Sequence, residues 1–228
     1  MKLITYCADV GSTKSGNFGW ARVTGTPGQF EARTGTSIDR LIDSMAADLE
    51  LGAVSLGIEA PLYIPVPRDA NNLSCGRPGE GSRSCFAPAG GYVTTLATHQ
   101  SAYLLRELND RSTELDVTVN LEHWQRSPTN LFIWEAFVSQ NAHTKSDSHT
   151  DDAITAATVF HRQYREAGCQ MDDALPINPD SEDDRISLIG AAIIWAGIHT
   201  DLKLLKAPTL CVRPTRPFKP AAVSTVTM

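Results

Sequence analysis

From Lys2 to Asp9 apolar and polar positions alternate, with Leu3, Thr5, Cys7 and Asp9 on one face and Ile4, Tyr6 and Ala8 on the other. That period of two predicts a strand. Val10 to Asn17 is a turn rich in Gly, Ser, Lys and Asn, and Phe18 to Val23 and Gln29 to Thr34 read as two further strands parted by the turn residues 25–28. Ser37 is an N-cap for a helix that carries Ile38, Leu41, Ile42, Met45, Ala46 and Leu49 at helical spacing and stops near Gly52. Ala53 to Glu59 is a short apolar run closed by Ala60 and Pro61, the pattern of a buried parallel strand.

Residues 65–92 break the pattern. They hold four of the 13 prolines and five of the 16 glycines, so an irregular insertion is expected there, and a loop of this length in a compact domain is commonly functional. A helix follows over 94–109, then strands at Val117–Leu121 and Leu131–Phe137. A polar loop spans 139–149. Further helices are expected over 150–167 and 185–205, with an acidic loop at 172–184 between them and a last short strand at Leu210–Val212. A meander of three strands followed by alternating helices and strands predicts an α/β fold with a mixed sheet. Residues 1–206 read as one domain and 207–228 as a basic, proline-containing tail.

A chain of 228 residues buries a sufficient core without disulfides or a structural metal. The five cysteines have no close pairing. Cys75 and Cys85 lie ten apart, which disfavours zinc. The longest apolar stretch, Ile186 to Ile198, is interrupted by Ser187, Gly190 and Gly197, too short and broken for a membrane span. With no apolar leader at the N-terminus, a soluble cytoplasmic protein is expected, as monomer or homodimer. The net charge of −6 conceals an asymmetry: every acidic residue lies within 1–201, whereas Lys203, Lys206, Arg213, Arg216 and Lys219 follow without an acid. Such a tail is either a solvated end or a contact for phosphate backbones.

Three acids sit at element ends. Asp9 closes the first strand, Glu59 closes the apolar strand, and Asp152 lies in the first turn of a helix continuing Ala-Ile-Thr-Ala-Ala. Singly, each is an ordinary cap or turn residue, and Asp152 complements a helix dipole. Together they supply the convergent oxygen ligands that a hard divalent cation requires.

These residues resemble the ribonuclease H-like superfamily. The strand ending in Asp9, the Gly19-Trp-Ala strand, the Ile58-Glu59 strand end and the helix headed by His149 and Asp152 are similar to the RuvC-type resolvases, where an Asp, a Glu and an H-x-x-D-A helix form a metal site. The Ile58 to Leu62 segment, the loop ending near Cys85 to Pro88, the strand end at Glu135 and the helix start from His149 to Ala157 also resemble a bacterial and archaeal family, domain of unknown function 429, over residues 1–170. The RuvC pattern has no counterpart for the insertion 65–92 or the acidic segment 172–184. The resemblance implies a ribonuclease H-like mixed five-stranded sheet flanked by helices, and Mg²⁺ or Mn²⁺ held by Asp9, Glu59 and Asp152. It implies divalent-metal-dependent cleavage of a phosphodiester in DNA or RNA.

On that reading His149 ligates a metal or orients water, and Glu135 is a fourth carboxylate. Lys14, Arg77 and Arg83 contact nucleic-acid phosphates. The alternatives are a catalytically silent binding or scaffold domain and a nucleotide phosphohydrolase. Asp9-Val-Gly-Ser-Thr also resembles the phosphate loop of actin-like ATPases, but those enclose nucleotide between two such domains. The Lys14 loop is not a P-loop, and neither a zincin helix nor a G-x-S-x-G elbow is present. His99 and His123 read as structural. Trp20, Trp124, Trp134 and Trp195 read as core or loop anchors, with base stacking open only to one left exposed.

Overall fold

A computed structural model describes residues 3–26, 29–77, 80, 84–112, 114–126, 131–138, 148–167, 174–175, 184–214 and 220–225. The polar loop 139–147, most of the acidic segment 172–184, and Arg83 lie outside these described residues. The predicted meander is present as β1 (Leu3–Asp9), β2 (Gly19–Thr26) and β3 (Gln29–Gly35), each antiparallel to its neighbour. Helix α1 (Ile38–Leu49) follows, capped by the Ser37 side chain, which accepts from the Arg40 amide. Strand β4 (Ala53–Glu59) then lies parallel to β1, wholly buried as its apolar sequence requires.

The insertion is partly ordered into β5 (Tyr63–Val66) and a single 3-10 turn at Ala70–Asn72. Helix α2 (Pro88–Arg111) starts earlier than expected because Pro88, with no amide hydrogen to satisfy, suits a first helical turn. After β6 (Val117–Thr118) the expected strand gives way to α3 (Leu121–Arg126), where the Asn120 side chain accepts from the His123 amide. Strand β7 (Leu131–Ala136) and helix α4 (His149–Ala167) come next, then the short β8 (Ala174–Leu175).

The helix expected over 185–205 is divided. Asp184–Ser187 forms β9, paired with β5. Ser187 caps α5 (Leu188–Trp195), and Gly197 takes a φ of +75° that ends the helix. The chain resumes as a 3-10 turn at Leu202–Lys206. A β-carbon on Gly190 would lie 1.9 Å from the Leu204 carbonyl oxygen, so only glycine lets that turn pack on α5.

The main sheet runs β11-β3-β2-β1-β4-β7-β10-β8, with β6 also on β7, where β10 is Cys211–Val212 and β11 is Ala222–Thr225. It is mixed and mostly parallel, with more strands than the five expected. Strand β10 is the short strand expected at Leu210–Val212, parallel to β7, whereas β11 is an addition in the segment read as a tail. Its pairing with β3 is long-range and leaves little local signal.

Alternation divides the core. Ile4, Tyr6 and Ala8 of β1, with Val54, Leu56 and Ile58 of β4, face α1, α2 and α5. Leu3, Cys7 and the opposite residues of β2, β3 and β7 face α4 and α3. On the first side Asp48 of α1 accepts from Tyr6 and Arg22, locking helix to sheet. On the second, Trp134 stacks on Phe160 at 4.5 Å, its indole laid over Gly57, where a β-carbon would come within 2.5 Å. No helix among the described residues is long and apolar enough to cross a membrane.

Candidate metal centre

Asp9 and Glu59 are register partners at the carboxyl ends of the adjacent parallel strands β1 and β4. Both follow the parity of Cys7 and Gly57, so both side chains emerge on the α4 face. The fourth residue of α4 is Asp152, and its first turn rests on β2. A β-carbon on Gly19 would stand 2.6 Å from the His149 carbonyl carbon and 2.7 Å from the Thr150 nitrogen. Glycine at that position is what lets Asp152 reach the strand ends.

The three carboxylates offer ligand oxygens that all lie within 4.8 Å of one another, and all three are buried. Charges about 4 Å apart repel by about 4 kcal/mol per pair at an effective dielectric near 20, and a cation among them reverses that cost. The donor set is all oxygen, which fits hard Mg²⁺ or Mn²⁺ and not zinc in a sulfur site. Cys7 lies below the cluster, but burial pushes its thiol well up and Glu59, Asp9 and Asp152 push it further, so it remains a neutral thiol.

His149, more than one-third exposed, places Nδ1 2.6 Å from Oδ2 of Asp9. A carboxylate accepts, so Nδ1 donates, and Nε2 is left as the ring's second proton site. Asp151, the adjacent acid, is exposed and outside the cluster.

Two expected site residues sit elsewhere. Glu135 pairs in register with Ile58 rather than Glu59, and this offset of one residue turns its carboxylate to the other face of the sheet. There it accepts from the Leu62 amide at 2.9 Å, from both terminal nitrogens of Arg77, and from the Cys211 thiol. Glu135 is therefore not a fourth metal carboxylate. Arg77 is likewise no phosphate contact: it is 6% exposed, its Nε donates to Glu80 at 2.7 Å, and its guanidinium lies over the Tyr63 ring. Burial opposes the charge on Arg77, but Glu135 and then Glu80 outweigh it and hold the guanidinium well above its ordinary value. Lys14 is exposed at the tip of the turn after β1, closed by the Asn17 amide donating to the Ser12 carbonyl at 2.9 Å.

A buried polar chain beneath the centre went unread in the sequence. Ser55 donates to Thr5, Thr5 to Nδ1 of His161 at 3.0 Å, and Nε2 of His161 to the Gly25 carbonyl. The carbonyl can only accept, which fixes the tautomer. Burial drives the His161 pKa down to about 4, the Gly25 bond partly resists, and Arg165 lowers it further. Thr5 and Ser55 share the parity of Asp9 and Glu59, a signal present in the sequence. The pairing with His161 is long-range and gave none.

Compared with family models, curated proteins and solved structures, the chain finds no match.

Proposed function

We propose that this chain is a divalent-metal-dependent phosphodiesterase on a ribonuclease H-like domain, cutting DNA or RNA. One observation carries the proposal: Asp9, Glu59 and Asp152 come from two strands and a helix far apart in sequence, yet bring buried carboxylate oxygens within 4.8 Å of one another. A central strand flanked by an antiparallel and a parallel neighbour, with acids at the adjoining strand ends, also fits that fold.

Asp9, Glu59 and Asp152 would hold Mg²⁺ or Mn²⁺. When bound, such an ion lowers the pKa of a water and screens the charge that gathers on the phosphoryl oxygens. The reaction adds the water oxygen to phosphorus, breaks one P–O bond and delivers a proton to the departing oxygen. Asp9 orients the His149 ring through Nδ1, leaving Nε2 to take the proton of the attacking water. Lys14 would meet the phosphate backbone as a point charge.

Titration with Mn²⁺, followed by thermal unfolding and by cleavage of labelled DNA and RNA strands, tests the proposal. The expected result is a rise in Tm and cleavage in the wild type, with both lost in Asp9→Asn. Ion binding without cleavage of any strand, but with hydrolysis of free nucleotides, would make it a nucleotide phosphohydrolase. Neither ion binding nor cleavage would leave a scaffold domain.

A further inference from the structure

Along the outward side of α2, Tyr92, His99, Tyr103 and Arg106 recur at spacings of seven, four and three, which puts them on one helical stripe. The inward side of the same helix is apolar and buried at Ala97, Leu104, Leu105 and Leu108. An aromatic stripe usually belongs to a core. Here only Tyr103 is half-buried against the core, whereas Tyr92 is 62% exposed and His99 and Arg106 are also exposed.

Two cavities of about 720 Å³ and 670 Å³ lie along the stripe and share His99 and Tyr103. The first reaches from Tyr92 to Lys14 on the turn after β1. The second is bounded by Arg106 and by Trp195 of α5, and the Arg106 guanidinium lies over both the Tyr103 and Trp195 rings. Trp20, Trp124 and Trp134 are fully buried, whereas Trp195 is 62% exposed.

We propose that this groove binds a single strand of nucleic acid, its bases stacked on Tyr92, Tyr103 and Trp195 and its phosphates met by Lys14 and Arg106. Rings at intervals along the groove, exposed at Tyr92 and Trp195 and half-buried at Tyr103, with a cation at each end, match a polymer that alternates flat bases with anionic phosphates. A lipid would ask for a closed apolar cavity, and a lone anion for several converging cations. Two acids stand at the rim: Asp39, engaged by the Tyr103 hydroxyl at 3.2 Å, and Glu107, which accepts from the Arg106 guanidinium at 2.8 Å and which a phosphate would displace. From Tyr92 to Arg106 the helix spans about 21 Å at ~1.5 Å per residue, room for several nucleotides.

The groove lies on the α1 and α2 side of the sheet, opposite the carboxylate cluster. The two meet at one end, because the turn bearing Lys14 begins three residues after Asp9. A strand held on α2 would pass over that turn toward the cluster. The inference thus deepens the phosphodiesterase reading by naming single-stranded flanks as what the protein holds beside the scissile bond.

The test is fluorescence anisotropy of a labelled oligothymidylate and of a duplex of equal length, with EDTA present so that no cleavage intervenes. Wild type should bind the single strand more tightly than the duplex. Tyr92→Ala and Trp195→Ala should each weaken it by about five-fold or more, the effect of removing one stacking ring. Lys14→Ala should reduce the salt slope by ~0.7, one single-strand phosphate. Strand binding should also quench the emission of Trp195, an effect absent from Trp195→Ala. All three residues are exposed, so the variants should melt as the wild type does.

Binding equal for duplex and single strand, or unchanged by both aromatic substitutions, overturns the proposal. So does a wild-type dimer that Trp195→Ala dissociates, since the groove would then be a self-association surface. Asp152→Asn separates the two readings. If that variant and the wild type bind the strand alike but Mn²⁺ binds neither, the groove stands and the phosphodiesterase falls. Mn²⁺-dependent cleavage that ignores Tyr92 and Trp195 gives the reverse.

Discussion

Arg77 grips Glu135 with both ends of its guanidinium, Nη1 to Oε2 at 2.7 Å and Nη2 to Oε1 at 2.5 Å, in a pocket that excludes water from both side chains. Arg77 belongs to the glycine- and proline-rich insertion and Glu135 to β7. The pair therefore fastens an otherwise sparsely structured segment to the end of the sheet. Buried pairs stabilise little against apolar replacements, yet removing one partner strands the other charge.

Glu135→Gln should destabilise the protein by about 1–3 kcal/mol, the cost of weakening buried hydrogen bonds to a charged group, because Glu80 still neutralises Arg77. Urea unfolding measures it. Mn²⁺ affinity of the folded variant should match the wild type, and a large loss of affinity would restore Glu135 to the metal centre.

Asp152→Asn keeps the shape and the capacity to accept a hydrogen bond at the helix start, but removes a charge. The apo variant should be as stable as the wild type or slightly more so, through relief of repulsion with Asp9 and Glu59. The rise in Tm on adding Mn²⁺ should vanish. A strongly destabilised variant that still gains stability from Mn²⁺ would make Asp152 a structural cap and remove the ground for the metal centre.

Gly19→Ala places a methyl against the backbone at His149 and Thr150, at distances that demand movement of α4. The expected loss is about 1–3 kcal/mol of stability, typical of overpacking. Mn²⁺ affinity should fall with it, since the shifted helix carries Asp152. Calorimetric titration of the folded variant reads this directly, and full retention of Mn²⁺ affinity would show that the close approach of β2 and α4 does not set the site.

His161 gives the protein an acid-side weakness. Its folded pKa, about 4, lies below the ordinary value of 6.5, so between these values the unfolded chain binds a proton that the folded chain refuses. Stability from this group is complete above pH 6.5 and declines as pH falls toward 4, by about 3 kcal/mol over that window. Urea midpoints across pH 4 to 7 should show a shallower slope in His161→Gln than in the wild type. Parallel slopes would mean that the folded chain protonates His161 as readily as the unfolded chain does.

The sequence alone determined the elements that rest on local periodicity and capping: the three-strand meander, α1 with its Ser37 cap, the mostly apolar β4 and the start of α4. It also determined which face of β1 and β4 carries Asp9 and Glu59, because a period of two assigns faces without knowledge of partners. It misjudged α5, where Ser187 and Gly197, visible as interruptions, act as a cap and a stop. Only the tertiary structure could decide between Glu59 and Glu135. Glu59 closes an apolar strand and Glu135 lies near the end of another, so both read as metal carboxylates, but the register of β7 against β4 puts Ile58 beside Glu135, and a shift of one residue reverses the face. Register between strands more than seventy residues apart is set by packing, such as Trp134 seated on Gly57, and no local pattern encodes it. The same holds for Arg77, which reads as a phosphate contact until Glu135 and Glu80 are seen to enclose it.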